Sequence, residues 1–148
     1  DVRQELNERT RLGQKLRSLI DLQNVLPAGK SNYHDYWVFP AIVENPQDTI
    51  SALRSAGFDA CDLPRSEAIK PPSGRDNLRA VVAEAALEKL IVLPCYPEMP
   101  EKALEVEALA FNNVAKVAHL PEPLVPSALL LHVPSPRPVP SSAKRPAL

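Results

Sequence analysis

The chain has 148 residues, 45% of them apolar, and a formal net charge of -1. That size suits one ordinary folded domain, and the near-zero charge removes any electrostatic case for nucleic acid or a membrane surface as partner. Two cysteines are too few for a disulfide framework, and four glycines cannot furnish a glycine-rich phosphate loop.

The first residues, Asp1-Val2-Arg3-Gln4-Glu5, are charged and do not read as a signal peptide. No apolar run is long enough to span a bilayer. Cys61 and Cys95 therefore read as reduced thiols of a cytoplasmic protein. The chain opens on Asp1 and its single methionine is Met99, so it reads as a processed product or a fragment.

Asp1 to Leu22 has helical spacing, with Val2, Leu6, Leu16, Leu19 and Ile20 on one stripe and Asp1 placed to cap. Asn24 to Asp35 is rich in turn formers and reads as a loop. Aromatic and β-branched residues from Tyr36 to Val43 predict a strand, and Pro40 within it predicts an edge strand or a bulge.

Asn45-Pro46-Gln47-Asp48 predicts a helix start, with Asn45 as cap, Pro46 at the first helical position and Asp48 reaching back. Ile50, Leu53 and Ala56 would be its buried face, and Gly57 its end. Phe58 to Cys61 reads as a short strand, Leu63 to Gly74 as a polar loop, and Asp76 to Lys89 as a helix burying Leu78, Val82, Ala85 and Ala86.

Leu90 to Leu93 is a short apolar run that reads as a buried strand. Pro94 and Pro97 stiffen the crossing that follows, and Pro100 suits the first turn of the next helix, where its missing N–H has no helical partner anyway. That helix, Glu101 to Ala118, would bury Ala103, Val106, Ala110, Val114 and Val117. The sum is an α+β fold over residues 1–118, a small sheet with helices packed on it. Residues 119–148 are proline-rich and read as a disordered tail.

Few side chains suggest chemistry. Arg65 and Ser66 are the best substrate-facing pair, since an arginine can clamp a carboxylate or phosphate bidentately. His34-Asp35-Tyr36 looks like an acid–base cluster, but sequence neighbours do not share a strand face, and a loop entering a strand explains them better. Cys95 has no basic neighbour in sequence to activate it and reads as a small buried hydrophobe. His34, His119 and His132 lack metal-ligand spacing. In the tail, Pro123-Leu124-Val125-Pro126 matches the spacing read by aromatic-lined grooves, and Arg137 precedes Pro138.

Gly57-Phe58-Asp59-Ala60 after a capped helix, then Ala83-Glu84 leading into Leu90-Ile91-Val92-Leu93-Pro94-Cys95-Tyr96-Pro97-Glu98-Met99-Pro100, resembles the C-terminal small domain of the DegT/DnrJ/EryC1/StrS family. These are fold-type-I, pyridoxal-phosphate-dependent aminotransferases, many acting on nucleotide-linked keto-sugars. Their small domain ends with a short strand, a Leu-Pro-x-x-Pro-x-Met/Leu elbow and a terminal helix. The resemblance covers residues 1–118 and implies part of an enzyme that moves an amino group to a keto substrate. It implies a cofactor held elsewhere, in a large domain carrying the Schiff-base lysine and the acid facing the pyridinium nitrogen. Homodimerisation of the intact enzyme is also open.

Where family members commonly carry a histidine-tyrosine-proline run, this chain has Asp62-Leu63-Pro64-Arg65-Ser66, which puts a sugar-nucleotide substrate in doubt. The expectation is a chain without catalytic or cofactor-binding residues of its own, inactive alone and completed by the large domain. The competing expectation is a non-enzymatic module that binds a protein through exposed helix faces and the tail.

Overall fold

The computed structural model describes residues 1–22, 25–27, 31, 33–63 and 66–121. The elements are α1 (Val2–Leu19), β1 (Phe39–Ile42), α2 (Pro46–Ser55), β2 (Cys61–Asp62), α3 (Val81–Glu88), β3 (Leu90–Leu93) and α4 (Glu101–Val114), with a 3-10 turn at Asp76–Leu78. The class is α+β and the element order is the one predicted.

The three strands form an antiparallel sheet in the order β1-β3-β2. Phe39 lies opposite Leu93 and Ala41 opposite Ile91. All four are buried, so one face of the sheet carries the core, as alternation along a strand requires. Pro40 sits on an edge strand opposite Val92, where its missing N–H costs no ladder bond. β1 is shorter than Tyr36 to Val43: the strand begins at Phe39, after Tyr36 takes a left-handed backbone (φ 51°), and Val43 makes only an isolated bridge with Val117. β2 is displaced from Phe58–Cys61 to Cys61–Asp62.

Asp1 caps α1 by accepting the Arg3 N–H at 3.0 Å. Leu12, Leu16 and Ile20 face the core, whereas Val2 and Leu6 of the expected stripe are exposed. Asn112 of α4 holds the end of α1, donating to the Leu19 carbonyl (2.9 Å) and accepting from the Asp21 N–H (3.1 Å).

In α2, Asn45 occupies the cap position without a side-chain capping bond. Its carbonyl accepts instead from the Thr49 N–H and hydroxyl. The buried face is Thr49, Ile50 and Leu53; Ala56 is exposed. Gly57, at φ 93°, ends the helix with paired returns: its N–H to the Arg54 carbonyl and the Phe58 N–H to the Leu53 carbonyl.

The helix expected over 76–89 is divided. Arg79 is extended (φ -57°, ψ 134°), which separates the 3-10 turn from α3, and its guanidinium pairs with Glu84 across the break. α3 has no fully buried residue and Leu78 is exposed, so this layer is peripheral.

The inner face of α4 is Leu104, Glu107, Ala108 and Phe111. Val106 and Val114 are exposed; Ala103 and Ala110 are only partly buried; Val117 lies past the helix end. The expected stripe is therefore rotated. Small and β-branched apolar residues surround this helix, and Leu104 and Phe111, the bulkiest, determine which side packs against α1 and α2. Pro100 lies at the N-cap, one place before the first turn.

Candidate functional site

Ser66 lines an open cleft of about 470 Å³ between the start of α2, the end of β2 and α3. Arg65 lies outside the described residues, as do the tail prolines from Pro123 onward. The cleft walls carry Asp62, Glu67, Glu84 and Glu88 against one base, Lys70. Arg79 beside Glu84 holds that carboxyl below its usual range, so it stays ionised. Gln47 reaches Asp62 at 3.5 Å across the mouth. These walls favour a cationic or hydroxyl-rich ligand.

The elbow after β3 is compact. The Met99 N–H returns to the Tyr96 carbonyl at 3.0 Å, and Met99 and Cys95 are buried. Burial pushes the Cys95 thiol up to about 11; the charge of Glu107 adds to the effect and that of Arg9 opposes it. A thiol so disposed is a poor nucleophile, in keeping with the small-hydrophobe reading.

Glu107 is the residue that sequence reasoning missed. It is fully buried, and neither carboxylate oxygen has a hydrogen-bond partner among the described residues. Burial raises its acid to about 8. The signal was present: once Leu104, Ala108 and Phe111 define the inward face, position 107 falls within it.

His34, Asp35 and Tyr36 belong to the turn ahead of β1 and form no catalytic relay. The Tyr36 N–H donates to His34 Nδ1 at 3.0 Å, and the Trp37 N–H to Asp35 Oδ1 at 3.2 Å. Arg9 lies 4.9 Å from the centroid of the exposed Trp37 ring.

A Schiff base to pyridoxal phosphate needs a lysine amine enclosed in a shaped pocket. The five described lysines do not fit that role. Lys70, Lys102 and Lys116 are exposed; Lys15 faces Glu105 at 3.8 Å, and Lys89 pairs with Glu44 at 2.7 Å. Among the described residues there is no cluster of three or more His, Cys, Asp or Glu side chains able to hold a metal ion, and no helix long and apolar enough to cross a membrane. No protein-family model matches the chain, and no curated protein matches it.

Proposed function

We propose that this chain is the small C-terminal domain of a DegT/DnrJ/EryC1/StrS-like, pyridoxal-phosphate-dependent aminotransferase, completed by a large domain that holds the cofactor. The observation that carries this reading is the β3–elbow–α4 unit. A central strand ends at Leu93, a proline-bracketed elbow runs through Pro94 and Pro97 to a buried Met99, and α4 begins at Glu101. The edge strand with Pro40 and the α2–Gly57 turn precede it in the order the resemblance implies. In the complete enzyme this domain would close over the active site and offer substrate contacts from the Ser66 cleft.

The test is the reading frame upstream of Asp1. A large domain bearing a lysine suited to a Schiff base is the expected result; an unrelated upstream sequence would refute the reading. A second reading, a protein-binding module, rests on Val106 and Leu109, which are exposed on the outer face of α4. Monomeric behaviour on size exclusion favours the independent module. Self-association or aggregation fits an orphaned half of an enzyme.

A further inference from the structure

The apolar side of α1 outruns the core beneath it. Val2, Leu6 and Arg9 share one side of the helix with Gly13 and Leu16, at the alternating four- and three-residue spacing of a single stripe. Gly13 and Leu16 are buried, whereas residues 1–7 are all exposed, Val2 at 71% and Leu6 at 39%. Arg11 pairs with Glu101, Lys15 faces Glu105 and Asn112 holds the Leu19 carbonyl, so α1 and α4 run parallel. Residues 1–10 therefore project past the start of α4 by about 15 Å. We propose that this overhanging face is the docking site of the chain's own tail, with Ala128-Leu129-Leu130-Leu131 on Val2 and Leu6 and Arg137 against the acids beside them. The inference rests on α1 and on the tail sequence and is independent of the family reading.

Two turns of unpacked helix call for a cover. A short helical stretch is marginal in water unless its apolar face packs, and Val2, Asn7 and Thr10 are weak helix formers. The Asp1 cap on the Arg3 N–H satisfies one backbone donor and buries none of the stripe.

Charge decides what the cover is. A groove of about 270 Å³ runs beside the overhang, lined by Asp1, Gln4, Glu5, Glu8 and Pro97 of the elbow. Its described lining holds three acids and no base, with Arg11 pairing Glu8 from the flank. A second copy's overhang would set the same acids against these, and like charges across an interface are costly. Residues 123–148 have the opposite character: Arg137, Lys144 and Arg145, and neither Asp nor Glu. Their apolar run ends at Leu131, six positions before Arg137, so one segment brings an apolar strip with a base close behind. That is the complement of an apolar ridge bordered by carboxylates.

The course of the chain leads the tail there. Val117 bridges Val43 antiparallel, and the Glu44 N–H bonds the Lys116 carbonyl. β1 begins at the elbow end of the sheet, since Phe39 lies opposite Leu93. Past α4 the chain is thus directed back toward the elbow and the groove at Pro97. Ala128 lies seven positions beyond Pro121, the last described residue, a reach of up to about 23 Å. β1 spans only about 13 Å, and closing so short a connection costs little.

Amide hydrogen exchange of Glu5 to Arg9, followed by NMR on the whole chain, tests the dock. Leu130→Asp should speed exchange at least about threefold, through loss of an apolar contact that holds the tail down. The same change at Leu148 should leave exchange unaltered. Glu5→Lys should speed exchange as well, in part because a base is unfavourable near a helix N-terminus. Adding Arg137→Glu to Glu5→Lys should restore protection, which an effect confined to the helix end would not. Protection should also be unchanged on dilution. Exchange unmoved by Leu130→Asp would overturn the proposal, as would an equal effect of Leu148→Asp or no rescue by Arg137→Glu. Protection that falls on dilution would overturn it too, by placing the tail on a second copy.

Discussion

Two glutamates mark two regions built on opposite principles. At the corner where β1 ends, Glu44 is partly exposed and paired: its Oε2 accepts from Lys89 at 2.7 Å and from the His119 N–H at 2.9 Å. Its own N–H bonds the Lys116 carbonyl, so one residue ties β1, the start of β3 and the segment after α4. Under α4, Glu107 is sealed among apolar side chains with no partner among the described residues. The corner is held by charge that water can screen. The α4 interior holds despite a carboxylic acid, because Leu104, Ala108 and Phe111 on the same face bury enough apolar surface to offset it.

The largest expected effect comes from removing the misfit. Glu107 is raised to about 8 by burial, whereas in the unfolded chain it titrates near the ordinary carboxyl value of 4.5. The folded state therefore holds a proton that the unfolded state has lost. The ionisation cost is absent below the ordinary value, grows as pH rises, and is complete above about 8, where it reaches on the order of 5 kcal/mol. Glu107→Leu should be more stable than the parent at pH 8 by at least a comparable amount, with the gain shrinking toward pH 4 to the smaller cost of a buried neutral acid. Denaturant melts at both pH values measure it; a gain independent of pH would assign the effect to packing instead.

A smaller effect sharpens the same comparison from the steric side. Gly13→Ala introduces a methyl that must displace the Tyr36 ring, at a cost of about 1–3 kcal/mol. The expected signature is a fall in thermal midpoint together with changed Trp37 fluorescence, because the turn ahead of β1 moves with Tyr36.

The smallest belongs to the exposed corner. Lys89, then the His119 N–H, holds the Glu44 carboxyl below its usual range, so its contribution is present at neutral pH and is lost as pH falls through and below that range. Glu44→Gln should lower stability slightly at pH 7, the difference shrinking with acid and with added salt. Hydrogen exchange at Val117 and His119 should report it before the global melt does.

What the sequence revealed divides along the same lines. β3 from Leu90 to Leu93, the edge position of Pro40 and the Gly57 stop were legible because local chemistry dictates them: an apolar run, a missing donor, a left-handed turn. The face of α4 was not, since alanine and valine lie around much of the helix and the partners α1 and α2 select the side. The break at Arg79 carries no glycine or proline to announce it. Of the site, Ser66 was placed in a cleft, but of the acids around it only Glu67 is its sequence neighbour; Asp62 comes from β2 and Glu84 and Glu88 from α3, and these meet only in three dimensions. The His34–Tyr36 turn was visible as residues and invisible as geometry, because its strain depends on Gly13 more than twenty residues earlier.

The corner also bears on chemistry, since Lys89, the least exposed described lysine of the sheet region, has its amine committed to Glu44. The direct measurement is to incubate the chain with pyridoxal phosphate, reduce with borohydride and map adducts by mass spectrometry. Sparse, substoichiometric labelling spread over surface lysines, without an internal-aldimine absorbance band, is the predicted result. A stoichiometric adduct at one lysine, accompanied by that band, would contradict the view that the cofactor's amine is supplied by another domain.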